Sequence, residues 1–139
     1  MRLKPSLTLD DARMMVRECN RASRELGREG TIAVVDTGGH LIYLERPDHQ
    51  SPNSVDVATM KARTAAFRER PSSNLEERVK ERPGWLMFPH GLPMSGGVPL
   101  FHGSECVGGI AVSGIAEDDE KVAEAGAAAL AAAVKNAAT

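Results

Sequence analysis

Lys61 lies on a stretch where Ala58, Ala62 and Ala65 recur at helical spacing, and these small side chains let its ammonium rest near a packed surface. A lysine so placed binds a carboxylate or, when desolvated, acts as a base; its competing role is a surface lysine whose stem snorkels to water. His90 stands in Phe88-Pro89-His90-Gly91-Leu92-Pro93-Met94-Ser95-Gly96-Gly97, where prolines stiffen the backbone and apolar groups flank an imidazole. That setting suits a flat apolar ligand or a metal held in a porphyrin, with Met94 either a second soft ligand or a packing residue. Gly96-Gly97-Val98-Pro99 offers unobstructed backbone N–H groups before a strand, the makings of a small nest for a carboxylate or phosphate as well as an ordinary turn. Combined, these features predict a pocket bounded by Lys61 and the Gly96–Pro99 turn, with His90 on the loop above.

Other chemistries lack their residues. There is no Gly-x-Ser-x-Gly elbow, and neither Cys19 nor Cys106 stands at a helix start that would activate a thiol. The two cysteines have no CxxC spacing and read as buried thiols. His40, His49, His90 and His102 show no helical i, i+4 pair or finger spacing, so no protein-ligated metal site is expected.

The chain that must position these groups has 139 residues, enough for a single domain, 1–139, with one core and no need of staples. Its 17 Lys+Arg against 19 Asp+Glu leave a formal net charge of -2, which provides no cationic field for nucleic acid or an anionic membrane. No apolar run has the length of a membrane span, and Met1-Arg2-Leu3-Lys4-Pro5 lacks the apolar stretch of a secretory signal, so the expected compartment is the cytoplasm.

Thr8 followed by Asp10 and Asp11 predicts a helix start, and Ala12, Met15, Val16, Cys19, Ala22 and Leu26 continue one apolar stripe over 9–26. Residues 31–36 and 40–46, joined through Thr37-Gly38-Gly39, predict a β-hairpin. A second helix is expected over 55–67 and a short surface helix over 74–81, the latter opened by a capping-box pattern of Ser73 and Glu76. Residues 82–97 form a long loop in which 86–88 is a plausible short strand. A second hairpin is expected over 98–113, with Gly108 and Gly109 marking a bulge or a close backbone approach. A last alanine-rich helix covers 118–136. Helices separated by antiparallel hairpins predict an α+β sandwich.

Several ordered motifs then resemble a known family. Leu7-Thr8-Leu9-Asp10-Asp11-Ala12, residues 31–48 (TIAVVDTGGHLIYLERPD), Ser54-Val55-Asp56-Val57-Ala58 and Lys61-Ala62 with Thr64-Ala65-Ala66 are similar to glycolate-utilisation protein G and the haem-binding protein of a sensor system. The resemblance continues through Gly96-Gly97-Val98-Pro99-Leu100, residues 107–114 (VGGIAVSG) and residues 119–126, so it spans roughly the whole chain. It implies a profilin-like α/β/α sandwich around a five-stranded antiparallel sheet, and assembly as a dimer or higher oligomer, commonly an octamer. It also implies binding of haem or a related tetrapyrrole, as in the C-terminal domain of some cobalamin adenosyltransferases. Two other functions fit it. One is an enzyme acting on a small hydroxy- or oxo-carboxylate, with Arg46 or Lys61 holding the carboxylate and Asp56 or His90 moving a proton. The other is an accessory subunit using the alanine-rich helix around Gly126 as a contact surface. The chain departs from the family in its proline-rich segment 85–94 and in its shorter turn at 114–118.

Overall fold

A computed structural model describes residues 1–138. Its elements run α1 (Leu9–Leu26), β1 (Thr31–Val35), β2 (Leu41–Glu45), α2 (Asn53–Arg68), α3 (Ser72–Glu81), a 3-10 turn (Pro83–Met87), β3 (Gly97–His102), β4 (Glu105–Ser113) and α4 (Asp119–Ala137). At the start of α1 the Thr8 hydroxyl accepts the Asp11 N–H at 3.1 Å while the Asp11 carboxylate accepts the Thr8 N–H at 2.8 Å. Two otherwise orphaned donors are thereby satisfied, which fixes the first turn. The helix ends where the Gly27 N–H returns to the Arg24 and Ser23 carbonyls.

The two hairpins join into one antiparallel sheet of order β2-β1-β4-β3, through pairing of Thr31 with Ser113 and of Val35 with Gly109. Side chains alternate across it. Ile32, Val34, Leu100, Ile110 and Val112 pack with Met15, Val16, Cys19, Val122 and Leu130 of α1 and α4. Ala33, Val35 and Ala111 face the other way, onto Ala58, Ala62 and Ala66 of α2. A two-residue period thus sends one strand's side chains into two different cores.

The sheet has four strands, not the five expected. Residues 86–88 do not form a strand. Trp85 N–H bonds the Arg82 carbonyl at 3.0 Å and Phe88 N–H bonds the Trp85 carbonyl at 3.1 Å, so local 3-10 turns consume the donors a ladder needs. Pro83 and Pro89 bracket the segment and supply no donor of their own. The cap expected on α3 also differs: the helix begins at Ser72, and the Ser73 hydroxyl donates to Glu120 of α4 at 2.6 Å rather than capping its own helix. No helix among the described residues is long and apolar enough to cross a membrane.

Candidate functional site

Helix α2 lies close to the sheet because the facing surfaces carry small side chains, with Gly97 and Gly109 at the points of nearest approach. A methyl group on Gly97 would overlap the Lys61 carbonyl oxygen, and one on Gly109 would overlap that of Ala62. The close approach read from the paired glycines of β4 is therefore made by α2. It brings Lys61 beside the Gly96–Gly97 turn, as the spacing predicts, but the ammonium finds a resident counter-charge there. Lys61 is 2% exposed; its Nζ lies 3.0 Å from Asp119 Oδ2 and donates to the Val112 carbonyl at 3.3 Å. Asp119 Oδ1 accepts the Ile115 N–H at 2.9 Å, so this one carboxylate ties α2, the end of β4 and α4 together.

The turn is equally committed. Gly97 N–H donates to the buried Ser72 hydroxyl at 2.8 Å, and the Gly96 carbonyl accepts Val112 N–H at 3.0 Å. Gly96 adopts φ +128, which excludes a side chain beside Lys61 Nζ. Val98 and Pro99 are buried in β3. Arg46 is exposed just past β2 and Asp56 is exposed in the first turn of α2; among the described residues no hydrogen bond or ion pair joins either to Lys61 or His90.

The loop carrying His90 presents the more open surface. His90 is exposed, in left-handed backbone (φ 58), with its ring edge-on to Phe67 of α2 at 5.8 Å. Leu92 N–H donates to the Thr64 hydroxyl at 2.9 Å and fastens the loop to that helix. Upstream, Trp85 and Phe88 stack at 5.6 Å with an interplanar angle of 28°. They line a cleft of about 480 Å³ together with Arg82, Gly84 and Met87, a volume within the usual range of small-molecule sites. Met87 is 85% exposed.

Arginine surrounds this aromatic pair. The Arg68 guanidinium carbon lies 5.6 Å from the Trp85 ring centre and 5.4 Å from that of Phe88, and that of Arg78 lies 5.9 Å from Trp85. Arg68 Nη1 is buried with no hydrogen-bond partner. Burial, followed by the like charges of Arg70 and Arg78, lowers the pKa of Arg68 from its ordinary value. Sequence reasoning did not single out Trp85, Arg68, Arg78 or Arg82. The available signal was the chain's only tryptophan within a run of arginines at 68, 70, 78 and 82.

A second cleft, about 590 Å³, lies at the C-terminal end of α1 among Arg24, Arg28, His49, Gln50 and Gly114. Several of its polar groups answer one another. His49 and Gln50 both reach the Glu29 carbonyl, and Arg28 pairs with Asp118. The arginines there also compensate the carbonyl end of the helix. No group of three or more His, Cys, Asp or Glu able to hold a metal ion occurs among the described residues.

Both thiols are free and buried. Burial pushes Cys19 up to about 12, and Cys106 is raised mainly by the same cause. A raised pKa means little thiolate at neutral pH, and the thiolate is the reactive form. Iodoacetamide is therefore expected to leave both cysteines unmodified in the folded protein and to label both after unfolding in urea; fast labelling of the folded chain would contradict this burial.

Residues 7–128 match the family described as haem degrading protein HbpS-like. GlcG of Escherichia coli (strain K12) is 37% identical over 84 residues, 60% of this chain and 63% of that protein, so the match spans less than two thirds of this curated relative. A crystal structure of HbpS superposes with a TM-score of 0.86 at 34% identity, covering 94% of both chains. A Streptomyces reticuli HbpS double mutant gives 0.85 at 35% identity, covering 94% of this chain and 90% of that one. A complex of PduOC with heme gives 0.79 at 22% identity, covering 90% of this chain and 95% of that one, a likeness of fold alone.

Proposed function

Since the chain belongs to the HbpS-like family of haem degrading proteins, we propose that it binds haem or a related flat tetrapyrrole in the cleft of the 82–94 loop. The observation that carries this reading is the stacked Trp85–Phe88 pair opening into that cleft beside guanidinium groups. A tetrapyrrole is a broad apolar disc with acidic substituents, and the residues lining the cleft fit it: aromatic faces for the ring, Arg82 for the acids and Met87 as a soft donor for iron, with His90 farther along the same loop as an imidazole donor. Haem bound there would supply iron redox and ligand-exchange chemistry. Lys61, Asp119, Gly96 and Gly97 act behind the site, holding α2 and the start of β3 in the places from which the loop departs.

Self-assembly into a dimer or a higher oligomer such as an octamer belongs to the same proposal, supported by the exposed alanines 128, 131 and 132 on α4. So does a profilin-like classification, supported by helices on both faces of the sheet.

Hemin titration of the purified chain is expected to shift the Soret band. Trp85→Ala should weaken binding about tenfold or more, the scale of one lost aromatic contact with its buried area. His90→Ala should change the ligation bands while retaining the ring. A spectrum identical to that of free hemin would sink the proposal.

A further inference from the structure

The cleft at the end of α1 holds charged groups that the fold does not use. The helix end is closed by backbone alone, Gly27 N–H donating to the Arg24 carbonyl at 3.0 Å and Arg28 N–H to that of Ser23 at 3.2 Å, so neither arginine side chain is needed as a hydrogen-bond cap. On α1, Arg13 and Arg21 each pair with an acid one turn back, whereas the Arg24 guanidinium has no hydrogen bond or ion pair among the described residues. Arg28 gives one amino group to Asp118 and keeps its other donors. Both arginines line the same opening of about 590 Å³. Gly27 leaves it clear, since nothing lies within 4 Å of where its Cβ would stand.

The neighbouring segments supply acceptors. His49 Nε2 lies 3.1 Å from the Glu29 carbonyl, which can only accept, so that nitrogen carries the proton and the neutral ring presents Nδ1 as a lone pair. Nδ1 has no partner among the described residues, and neither has the carboxylate of Glu29, which also lines the cleft. Gln50 holds the arrangement in place. Its amide donates to the Glu29 carbonyl at 2.9 Å and to the Gly114 carbonyl at 3.2 Å, bracing three chain segments around the opening before any ligand arrives.

We infer that this cleft is a binding site for a phosphorylated polyol, with Arg24 and Arg28 holding the phosphate and with His49 and Glu29 accepting from the hydroxyls. Two guanidinium groups at one opening favour phosphate over carboxylate. The two oxygens of a carboxylate are filled by one planar fork, while a phosphate has a third oxygen for the other. The unpaired Nδ1 and carboxylate call for hydroxyl donors, which a bare anion lacks. The site is independent of the haem reading, because the two clefts share no lining residue and either assignment can fail alone.

The ring-proton resonances of His49 report this cleft directly, and His49→Gln identifies them among the four histidines of the chain. The protein would be titrated at about pH 8, where imidazole is ordinarily neutral, with ionic strength held constant by chloride. Glycerol phosphate is expected to move the His49 signals saturably, with half-saturation on the order of 1 mM, and to leave His40, His90 and His102 in place. Inorganic phosphate should bind about threefold more weakly and glycerate about fivefold more weakly, and glycerol alone should not register. Arg24→Gln should weaken glycerol phosphate about tenfold, with Arg24→Lys intermediate because it keeps the charge but loses the fork. Arg17→Gln, at another exposed arginine of α1, should change nothing.

Glycerate that binds as well as glycerol phosphate overturns the phosphate assignment, and inorganic phosphate that does so overturns the polyol. An unchanged affinity in Arg24→Gln, or a drift shared by all four histidines, overturns the site itself. Arg24 is exposed, so its replacement spares the core, and the comparison of anions on the unaltered chain decides independently of that variant.

Discussion

Replacing Lys61 with methionine is expected to remove about 3–5 kcal/mol of stability, the scale for breaking a buried ion pair by deleting one partner. Most of that loss comes from the carboxylate left behind. Asp119 is 5% exposed, and without the ammonium at 3.0 Å it keeps only the Ile115 N–H as a partner. Val112 loses a donor to its carbonyl at the same time. A domain is typically stable by about 5–15 kcal/mol, so this one change consumes a large share. Urea unfolding would show the midpoint fall. Adding Asp119→Asn should restore part of the loss, because the amide oxygen still accepts from Ile115 and no charge remains buried. A single variant within about 1 kcal/mol of the parent would show that the pair is better hydrated than its burial indicates.

The second large effect concerns volume alone. Gly97→Ala and Gly109→Ala each place a methyl group onto a backbone carbonyl of α2, at Lys61 and Ala62 respectively. Overpacking usually costs about 1–3 kcal/mol, and the upper end or more applies here because the obstacle is a helix backbone that cannot rotate aside. Thermal melts should drop by roughly 10 °C for either variant. Gly84→Ala is the control, since nothing lies within 4 Å of the added carbon. Unchanged melting of Gly109→Ala would mean that α2 can lift from the sheet at little cost.

What was legible in the sequence followed local rules. Thr8, Asp11 and the apolar stripe from Ala12 to Leu26 placed α1 at its observed bounds, because caps and periodicity act over a few residues. The hairpins were legible for the same reason. Residues 86–88 misled because their apolar run has no period of its own, and stacking of Trp85 on Phe88 favoured a 3-10 turn over pairing. The alanines around Lys61 let its ammonium lie near the sheet, with a snorkelling surface lysine as the alternative, and the Asp119 that decides between them lies 58 residues away, where nothing local announces it. Arg68 was missed for a related reason: the rings it covers, Trp85 and Phe88, belong to a different segment, and only the folded chain brings them together.

The bond from Leu92 N–H to the Thr64 hydroxyl bears on how fast the cleft exchanges its contents. Residues 83–91 form an arc whose backbone is fastened at one end where Arg82 N–H closes α3 on the Arg78 carbonyl, and at the other by this bond. The Thr64 hydroxyl already donates to the Met60 carbonyl at 2.7 Å, so releasing Leu92 strands no buried group on the helix, and water can take up the freed N–H. Releasing this hydrogen bond alone costs about 0.5–1.5 kcal/mol, the net value of one such bond. Opening the arc would also part Trp85 and Phe88 from Arg68 and Arg78, and His90 from Phe67, while the sheet and the Lys61–Asp119 tie stand outside the motion. Exchange through the cleft is therefore governed more by those ring contacts than by the Leu92 latch.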